Sequence, residues 1–226
     1  MAELISGLRA QVISENLERV HEDIATAVAR SSDSRRPGDV EVLAAIKYVP
    51  ARELPVLAEA GIRLVGENRA QDLRSKVAAH PDLFVWDFIG QLQSRRVRLI
   101  VPHVRLIHSV ASVSALGELA RQRDLAHPGL RILIEVNVAG EKGKAGVAPE
   151  QLDEFIARSP VPVAGLMTMP PLTSDPERSR RWFAALRMLA DERGLEHLSM
   201  GTSQDYRVAV EEGATIVRLG TKLYHQ

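Results

Sequence analysis

The sequence predicts an α/β protein, a single domain over residues 1–226 folded as a TIM-type (β/α)8 barrel with an additional long N-terminal helix. Eight short runs rich in Val, Ile and Leu alternate with polar, helix-permissive stretches, which is typical of parallel strands covered on their outer face. The first 30 residues carry apolar side chains at helical spacing. No linker, low-complexity segment or shift in composition divides the chain.

The opening segment predicts one long amphipathic helix. Its apolar residues recur every three or four positions from Leu4 to Val28, so they share one face. The segment SSDSRRPGD, at 31–39, ends this helix, because Pro, Gly and Ser favour turns. Only TKLYHQ follows the eighth apolar run, so we expect no final helix after that strand. The N-terminal helix is then the element expected to cover the resulting gap in the barrel.

Eight strands are predicted, and their number matters because eight strand–helix units can close into a barrel. The alternative, an open doubly wound sheet, would carry a glycine-rich nucleotide loop after the first strand. The sequence there is KYVPAREL, without glycine, which favours the barrel. The predicted strands are EVLAAIKYV (41–49), IRLVGEN (62–68), LFVWDFIG (83–90), VRLIHSV (104–110), LRILIEVNV (130–138), VPVAGLMTM (161–169), LEHLSMG (195–201) and TIVRLG (215–220).

Charge and composition point to a small ligand. The chain has 29 Lys and Arg against 29 Asp and Glu, so no net field attracts nucleic acid or an anionic membrane surface. The absence of cysteine excludes a disulfide framework and fits a reducing compartment. No secretory signal is evident at the N-terminus, and no segment approaches the roughly 20 apolar residues of a membrane span. We expect a soluble, cytoplasmic monomer that contacts neither nucleic acid nor membrane.

Three other patterns are weak. The seven histidines lack the spacing of paired metal ligands, so no metal site is predicted. Arg95, Arg96 and Arg98 form a short basic run, which favours a solvated helix face over an RNA contact. The segment GEKGKAG resembles a phosphate-binding P-loop, but Val138 stands where its first glycine should be.

The loops after the seventh and eighth strands predict a phosphate site. They lie within LSMGTSQDY (198–206) and IVRLGTK (216–222), and in barrels of this type phosphate groups commonly sit at these two loops. Ser203 precedes a predicted helix, so its hydroxyl and the first free backbone N–H groups would face an anion. Gly220 allows close approach of the backbone, and Thr221 adds two donors. The alternative is that these residues form only a helix cap and a turn.

Lys47 lies near the end of the first predicted strand, within LAAIKYV. A lysine in an apolar strand loses hydration, which favours the neutral amine that can attack an aldehyde, so Lys47 is a candidate Schiff-base lysine. Barrel closure places strand one beside strand eight, which makes Lys47 a neighbour of Arg218 and of the phosphate site. An aldehyde, a ring and a phosphate together describe pyridoxal phosphate. The alternative is a rim lysine that extends to water.

Seven segments carry a resemblance to a known family: AAIKYVP, GENRAQD, FIGQLQSRR, EVNVAGEKGKAG, GLMTMPP, LSMGTSQD and VRLGT. In order and spacing they resemble the pyridoxal phosphate homeostasis proteins, the YggS or PROSC family, over residues 3–221 or so. The resemblance implies a single barrel similar to the N-terminal domain of alanine racemase. It also implies a carrier or regulator of intracellular vitamin B6 pools, with pyridoxal-phosphate-dependent acceptor enzymes as partners.

The resemblance also implies roles for individual residues. Lys47 would form the internal aldimine, and Arg218 would face the pyridine nitrogen. Ser203, Gly220 and Thr221 would surround the phosphate, and no residue is assigned a catalytic role. Asn68 and Met200 would line the cofactor, with Asn137 a weaker candidate.

Some positions depart from the commoner family pattern. Asp87 and Gln91 stand where histidines are frequent, Arg95 and Arg96 replace an Asn-Lys pair, and the tail KLYHQ replaces a shorter ending. These departures avoid Lys47 and Arg218. We therefore assign no role to the loop after the third strand.

Two other functions remain open, a racemase-like enzyme acting on amino acids and a barrel that binds another phosphorylated ligand. Racemisation needs acid–base groups on both faces of the substrate carbon, and Lys47 can serve only one. Tyr48 is expected to point away from Lys47 by strand alternation, Tyr206 follows the phosphate loop and Tyr224 lies in the tail. We therefore expect pyridoxal phosphate to be bound without efficient turnover.

Overall fold

The computed structural model describes residues 4–31 and 36–225, and within them eight parallel strands form a closed barrel in sequence order. Every predicted strand is present, and the (β/α)8 prediction is confirmed. The strands are β1 (Glu41–Ala45), β2 (Leu64–Glu67), β3 (Val85–Phe88), β4 (Leu106–Val110), β5 (Arg131–Glu135), β6 (Val163–Met167), β7 (His197–Thr202) and β8 (Ile216–Leu219).

Helices surround the barrel and connect successive strands, several of them preceded by one turn of 3₁₀ helix. They are α1 (Ala10–Arg30), α2 (Leu54–Glu59), α3 (Ala70–Ala79), α4 (Val97–Ile100), α5 (Val113–Arg121), α6 (Leu152–Ala157), α7 (Arg180–Asp191), α8 (Tyr206–Glu211) and α9 (Thr221–Tyr224). The one-turn helix α9 directly follows β8. The prediction that no helix follows the last strand was therefore wrong.

The N-terminal helix covers the region predicted for it but begins later. It packs against α2, α8 and α9, the helices that flank the junction of β1 with β8. Residues 4–9 are not helical, because Gly7 has a φ of +71°, in the left-handed region that an α-helix cannot pass through. The backbone N–H of Ile5 instead donates to the carbonyl oxygen of Tyr48. The helix ends at Arg30, where the segment 31–39 was expected to stop it, and residues 32–35 of that segment lie outside the described residues.

Two apolar layers stabilise the barrel. The larger layer lies between the strands and the helices and contains alternate residues of each strand, such as Ala44 and Ile46 on the β1 side. A smaller layer fills part of the barrel interior and comprises Leu43, Leu64, Leu106, Leu133, Met167 and Ile216. Ile89 and Ala164 pack against this inner layer, and the buried polar side chains include Asp87, His108, Ser199 and Arg218. No helix in the described part of the chain is long and apolar enough to cross a membrane.

Candidate functional site

The loops after β7 and β8 meet through the hydroxyl of Ser203. Its Oγ accepts from the backbone N–H of Gly220 at 3.3 Å and of Lys222 at 3.4 Å, and Thr221 lies exposed between these two residues. The structure therefore brings together the three residues predicted to surround a phosphate. Helix α8 begins at Tyr206, and Ser203 does not cap it, so the helix-cap interpretation was wrong.

Asp205 adds a negative charge to this loop that the sequence reading missed. Its carboxylate accepts from the backbone N–H of Thr202 at 2.8 Å and from the Thr202 hydroxyl at 3.1 Å. These two donors of the β7 loop are therefore already satisfied within the protein. The donors left for an anion come from Ser203 and from the loop after β8.

Two glycines of these loops differ in what they permit. Gly201 has a φ of +90°, and a Cβ there would lie 2.6 Å from the Cβ of Ala209, so this position needs glycine for α8 to pack against β7. A Cβ at Gly220 would meet nothing closer than the carbonyl oxygen of Ala45, at 3.7 Å. Packing within the protein therefore does not require glycine at 220. The open space beside it can admit a ligand.

Arg218 is a buried cation whose hydrogen bonds all go to neutral acceptors. It is 7% exposed, and its Nη1 donates to the carbonyl oxygen of Ser199 at 2.7 Å and to the Ser199 Oγ at 2.5 Å. Its Nη2 donates to the carbonyl oxygen of Thr168 at 3.0 Å and to the Sδ of Met169 at 2.9 Å.

No carboxylate in the described chain is hydrogen-bonded to Arg218. Burial lowers the pKa of Arg218 to about 10, with Asp205 and Glu135 opposing that shift, so the guanidinium remains charged near neutral pH. A desolvated charge is costly unless it meets a partner. This position therefore favours a ligand with anionic or strongly electron-donating atoms.

Lys47 lies beyond the end of β1, and its side chain is exposed rather than buried in a strand. The expected loss of hydration was therefore wrong, because β1 ends at Ala45 and only Ile46 and Val49 continue into the core. The Lys47 Nζ lies 4.8 Å from the centroid of the Tyr48 ring, a cation–π contact. Tyr48 does not point away as expected, since residues 47 and 48 form a turn in which strand alternation no longer applies.

The pairing of β1 with β8 was predicted and is confirmed. Leu43 is the partner of Arg218 in this register, and Lys47 follows four residues later, nearer the mouth. The guanidinium of Arg218 extends across β7 to the end of β6, where it meets Thr168 and Met169.

Asn68, Asn137 and Met200 are placed very differently. Asn68 directly follows β2, and its side-chain Oδ1 is buried without a hydrogen-bond partner among the residues described. The amide of Asn137 is already used, because it bonds the backbone N–H and carbonyl of Glu141. Met200 is fully buried in the layer between strands and helices, so its side chain does not reach the mouth.

Glu135 and Lys144 are functional candidates that sequence reasoning missed. Glu135 faces the barrel interior, as its spacing from Leu133 on β5 could have indicated. Burial raises the pKa of the Glu135 carboxyl, while Arg218 and Lys144 oppose that rise. Lys144 is half-buried, pairs with Glu141 and lines a cavity of about 210 Å³ together with Arg218.

The positions that depart from the family pattern separate into two groups. Asp87 is fully buried inside the barrel, where it pairs with Arg105 and His108. Gln91 and Arg95 are exposed on the loop after β3. Within residues 4–31 and 36–225, no group of three His, Asp or Glu side chains is arranged to hold a metal ion.

Known proteins resemble this chain over nearly its whole length. Residues 26–226 match the family model of the alanine racemase N-terminal domain. A pyridoxal phosphate homeostasis protein of Aquifex aeolicus is 41% identical over 221 residues, which cover 93% of this chain and 96% of the relative. A protein of Bifidobacterium adolescentis has a TM-score of 0.84 at 29% identity, with 99% of this chain and 98% of the other covered.

One similar structure contains the cofactor. PipY of Synechococcus elongatus PCC7942, solved with pyridoxal phosphate bound, has a TM-score of 0.78 at 31% identity, covering 94% of this chain and all of PipY. The family model, the identity to the curated relative and the shared barrel agree. The chain therefore belongs to the pyridoxal phosphate homeostasis protein family, which is built on the barrel of the alanine racemase N-terminal domain.

Proposed function

We propose that the protein binds pyridoxal 5′-phosphate at the C-terminal mouth of its barrel and holds it for intracellular vitamin B6 homeostasis. The observation that carries this proposal is Arg218, a buried cation without a carboxylate partner in the described chain, close to the joined loops after β7 and β8. The names of the curated relatives and the pyridoxal phosphate bound to PipY support it.

The residues present fit this cofactor in chemical type. When bound, pyridoxal phosphate supplies an aldehyde that condenses with a primary amine, and a pyridine ring that can accept electrons. Lys47 offers an exposed primary amine at the mouth. Ser203 and Thr221 offer hydroxyl and backbone N–H donors for the phosphate, and Gly220 leaves the space beside them open.

The remaining proposed contacts concern the ring. The Nη1 and Nη2 groups of Arg218 already bond Ser199, Thr168 and Met169, so the N–H proposed to donate to the pyridine nitrogen is that of Nε. Because a guanidinium does not release its proton near neutral pH, the ring nitrogen stays unprotonated. Asn68 contributes the amide oxygen that has no partner in the described part of the protein. Met200 supports the end of β7 from the core behind it.

We further propose that the bound cofactor does not turn over amino acids efficiently. An unprotonated ring nitrogen is a weaker electron sink than a pyridinium held by a carboxylate. Racemisation also needs a second acid–base group facing Lys47 across the substrate carbon. Tyr48 lies against Lys47 itself, and the hydroxyl of Tyr224 is buried and donates to the carbonyl oxygen of Ala45 at 3.3 Å. The hydroxyl of Tyr206 is bonded to Asp23 on α1.

Three ligands separate the contributions of aldehyde, ring and phosphate. The purified protein is titrated with pyridoxal 5′-phosphate, with pyridoxal, which lacks the phosphate, and with pyridoxine 5′-phosphate, which lacks the aldehyde. We expect a yellow complex with the first ligand, weaker binding of the second, and colourless binding of the third. Lys47→Arg keeps the charge but should bind without colour. Preference for an unrelated sugar phosphate would instead favour a barrel for another phosphorylated ligand.

Turnover is tested with the loaded protein and a panel of amino acids. We expect exchange of the cofactor with free amines, and racemase, decarboxylase and transaminase rates far below 1 s⁻¹, the low end of ordinary enzymes. Sustained turnover near or above that rate, lost in Lys47→Arg, would favour the racemase-like enzyme.

Delivery to other enzymes completes the proposal. We propose a cytoplasmic monomer that passes its cofactor to pyridoxal-phosphate-dependent acceptor enzymes. The apolar side chains of Met169 and Leu172, 44% and 91% exposed on the loop after β6, support contact with an acceptor beside the mouth. Sedimentation of the purified protein tests the monomer. Transfer of cofactor to an apo-enzyme faster than its release into buffer tests delivery.

A further inference from the structure

A continuous chain of hydrogen bonds crosses the barrel interior and ends at Arg218. Arg105, just before β4, donates from Nε to Asp87 Oδ1 at 3.0 Å. Asp87 Oδ2 lies 3.1 Å from His108 Nε2, and His108 Nδ1 lies 2.8 Å from Ser199 Oγ. The Nη1 of Arg218 reaches the same Oγ at 2.5 Å. Asp87, His108 and Ser199 are all fully buried.

The chemistry of the two ends fixes the direction of every bond in this chain. Arginine can only donate, so Asp87 accepts from Arg105 and Ser199 accepts from Arg218. The single hydroxyl hydrogen of Ser199 then goes to Nδ1 of His108, which must be unprotonated. The ring consequently carries its hydrogen on Nε2 and donates it to Asp87. A neutral His108 with this tautomer satisfies every member of the chain.

A charged His108 would break the pattern. Its Nδ1–H and the guanidinium of Arg218 would both point at Ser199 Oγ, and the serine hydrogen would have no acceptor within the described barrel interior. Burial lowers the pKa of His108 most strongly, Asp87 opposes this, and Arg218 and Arg105 lower it further. The neutral ring that the bonding pattern requires is thus also the form that its surroundings favour.

At its far end, this series of hydrogen bonds keeps the carboxylate of Asp87 out of contact with Arg218. Glu41 binds Arg105 through two bonds of 2.8 and 2.7 Å, and Arg105 also contacts both oxygens of Asp87. Asp87 therefore shares one cation with Glu41, and its remaining contact within the series is the ring of His108. What Arg218 meets is a neutral hydroxyl, which orients its guanidinium without neutralising it.

We infer that Asp87, His108 and Ser199 are positioning residues, which fix the guanidinium of Arg218 and keep its charge available at the mouth. Asp87 sets the tautomer of His108, His108 makes the Ser199 oxygen an acceptor, and Ser199 holds Arg218. The consequence for pyridoxal phosphate rests on the proposed function. The arrangement of the hydrogen bonds from Arg105 to Arg218 does not depend on that proposal.

The series of hydrogen bonds from Arg105 to Arg218 is tested first without cofactor, by NMR of protein labelled with ¹⁵N in histidine and arginine. We expect His108 to be neutral and protonated on Nε2 across pH 6 to 8, and the Arg218 side-chain resonances to be resolved. Asp87→Asn should switch the tautomer, because the two donors of Arg105 engage the new amide oxygen and leave its NH₂ group facing His108. His108 would then donate to Ser199, and the Arg218 resonances should broaden.

Cofactor affinity is the second readout, with two buried serines compared. Ser199→Ala removes a bond that orients the guanidinium of Arg218 rather than a bond to the ligand, so we expect pyridoxal 5′-phosphate to bind more weakly, by at most about tenfold. Ser109→Ala is the matched control. The Ser109 hydroxyl is also buried, but it donates to the carbonyl oxygen of Gly90 and takes no part in the hydrogen bonds that lead to Arg218. This variant should leave affinity and the His108 tautomer unchanged.

The outcomes separate this inference from the proposed function. A parent protein with His108 charged or protonated on Nδ1 would overturn the inference, whatever the cofactor does. The same holds if Ser199→Ala leaves both the Arg218 resonances and the affinity at parental values. If the parent does not bind pyridoxal 5′-phosphate, the proposed function fails, and the positioning chain is then decided by the His108 tautomer and the Arg218 resonances alone.

Discussion

The buried ammonium of Lys76 donates a hydrogen bond of 2.8 Å to the carbonyl oxygen of Ile46, the residue before Lys47. The same ammonium lies 2.5 Å from the carboxylate of Glu67, whose other oxygen accepts from the backbone N–H of Asn68 at 2.7 Å. One buried ion pair therefore joins the segment that carries Lys47 to the segment that carries Asn68. Neither Lys76 nor Glu67 was identified from the sequence.

Replacing Lys76 tests how strongly this pair holds the mouth together. Lys76→Met leaves the Glu67 carboxylate buried without its cation, and breaking such a pair costs roughly 3–5 kcal/mol of unfolding free energy. Denaturant unfolding of the protein without cofactor measures this loss of unfolding free energy. The exposed Arg158 and Glu154 pair is the control, since Arg158→Ala should cost less than about 1 kcal/mol. Equal losses in the two variants would contradict the structural role of Lys76.

The joined loops after β7 and β8 predict a phosphate-specific effect. Ser203→Ala removes one donor, and a hydrogen bond to a charged group contributes about 1.5–3 kcal/mol, or tenfold and more in affinity. Gly220→Ala places a methyl group in space that the protein itself leaves open, so the fold should tolerate it while the phosphate should not. Titration should show both losses with pyridoxal 5′-phosphate and neither with pyridoxal. If both variants bind the two ligands with the affinity of the parent protein, these loops are not the phosphate site.

The partner of the ring nitrogen can be identified by its protonation state. With Arg218 beside it, we expect the nitrogen of bound pyridoxal 5′-phosphate to be unprotonated at neutral pH. In Arg218→Glu a nearby anion favours the charged form, which should raise the pKa of that nitrogen. NMR of cofactor labelled with ¹⁵N reports the state directly. A pyridinium signal in the parent protein would refute the assignment of Arg218, independently of how the variant folds.

The carboxyl of Glu135 predicts a pH-dependent stability. Its pKa is raised by burial above 4.5, so the folded protein binds this proton more tightly than the unfolded chain does. The contribution of Glu135 to the free energy of unfolding is thus favourable at low pH and is lost as the pH rises through the folded-state pKa. Glu135→Gln should raise the Tm at pH 7 but not at pH 4, whereas exposed Glu150→Gln should change neither. A lower Tm for Glu135→Gln at pH 7 would show that the ionised carboxylate stabilises the fold.

The fold was predictable because its strands are buried on both faces, which leaves eight apolar runs separated by polar stretches in the sequence. The start of α1 was not, because the apolar spacing continues through Leu4 and Leu8 although Gly7 interrupts the helix. The apolar run around Lys47 likewise continues past the end of β1, since Ile46 and Val49 are buried outside the sheet. Apolar spacing records burial, and burial extends beyond regular structure.

The site was predictable only in part, for a related reason. Loop position in a barrel brought Ser203, Gly220 and Thr221 together correctly. Strand alternation could place Asp87 and Glu135 inside the barrel, but it could not name their partners. Those partners depend on the register of neighbouring strands and on side-chain direction, as for the guanidinium of Arg218, which crosses β7 to reach β6.

The identity of the lysine that joins pyridoxal 5′-phosphate tests the central claim most directly. Two other amines compete structurally, since Lys144 lines the cavity that contains Arg218 and the backbone N–H of Lys222 contacts Ser203. The loaded protein is reduced with borohydride, digested and sequenced by mass spectrometry, with Lys47→Arg treated in parallel. We predict one modified peptide, carrying Lys47, and none in the variant; a modification on Lys144 or Lys222 that persists in Lys47→Arg would contradict the account.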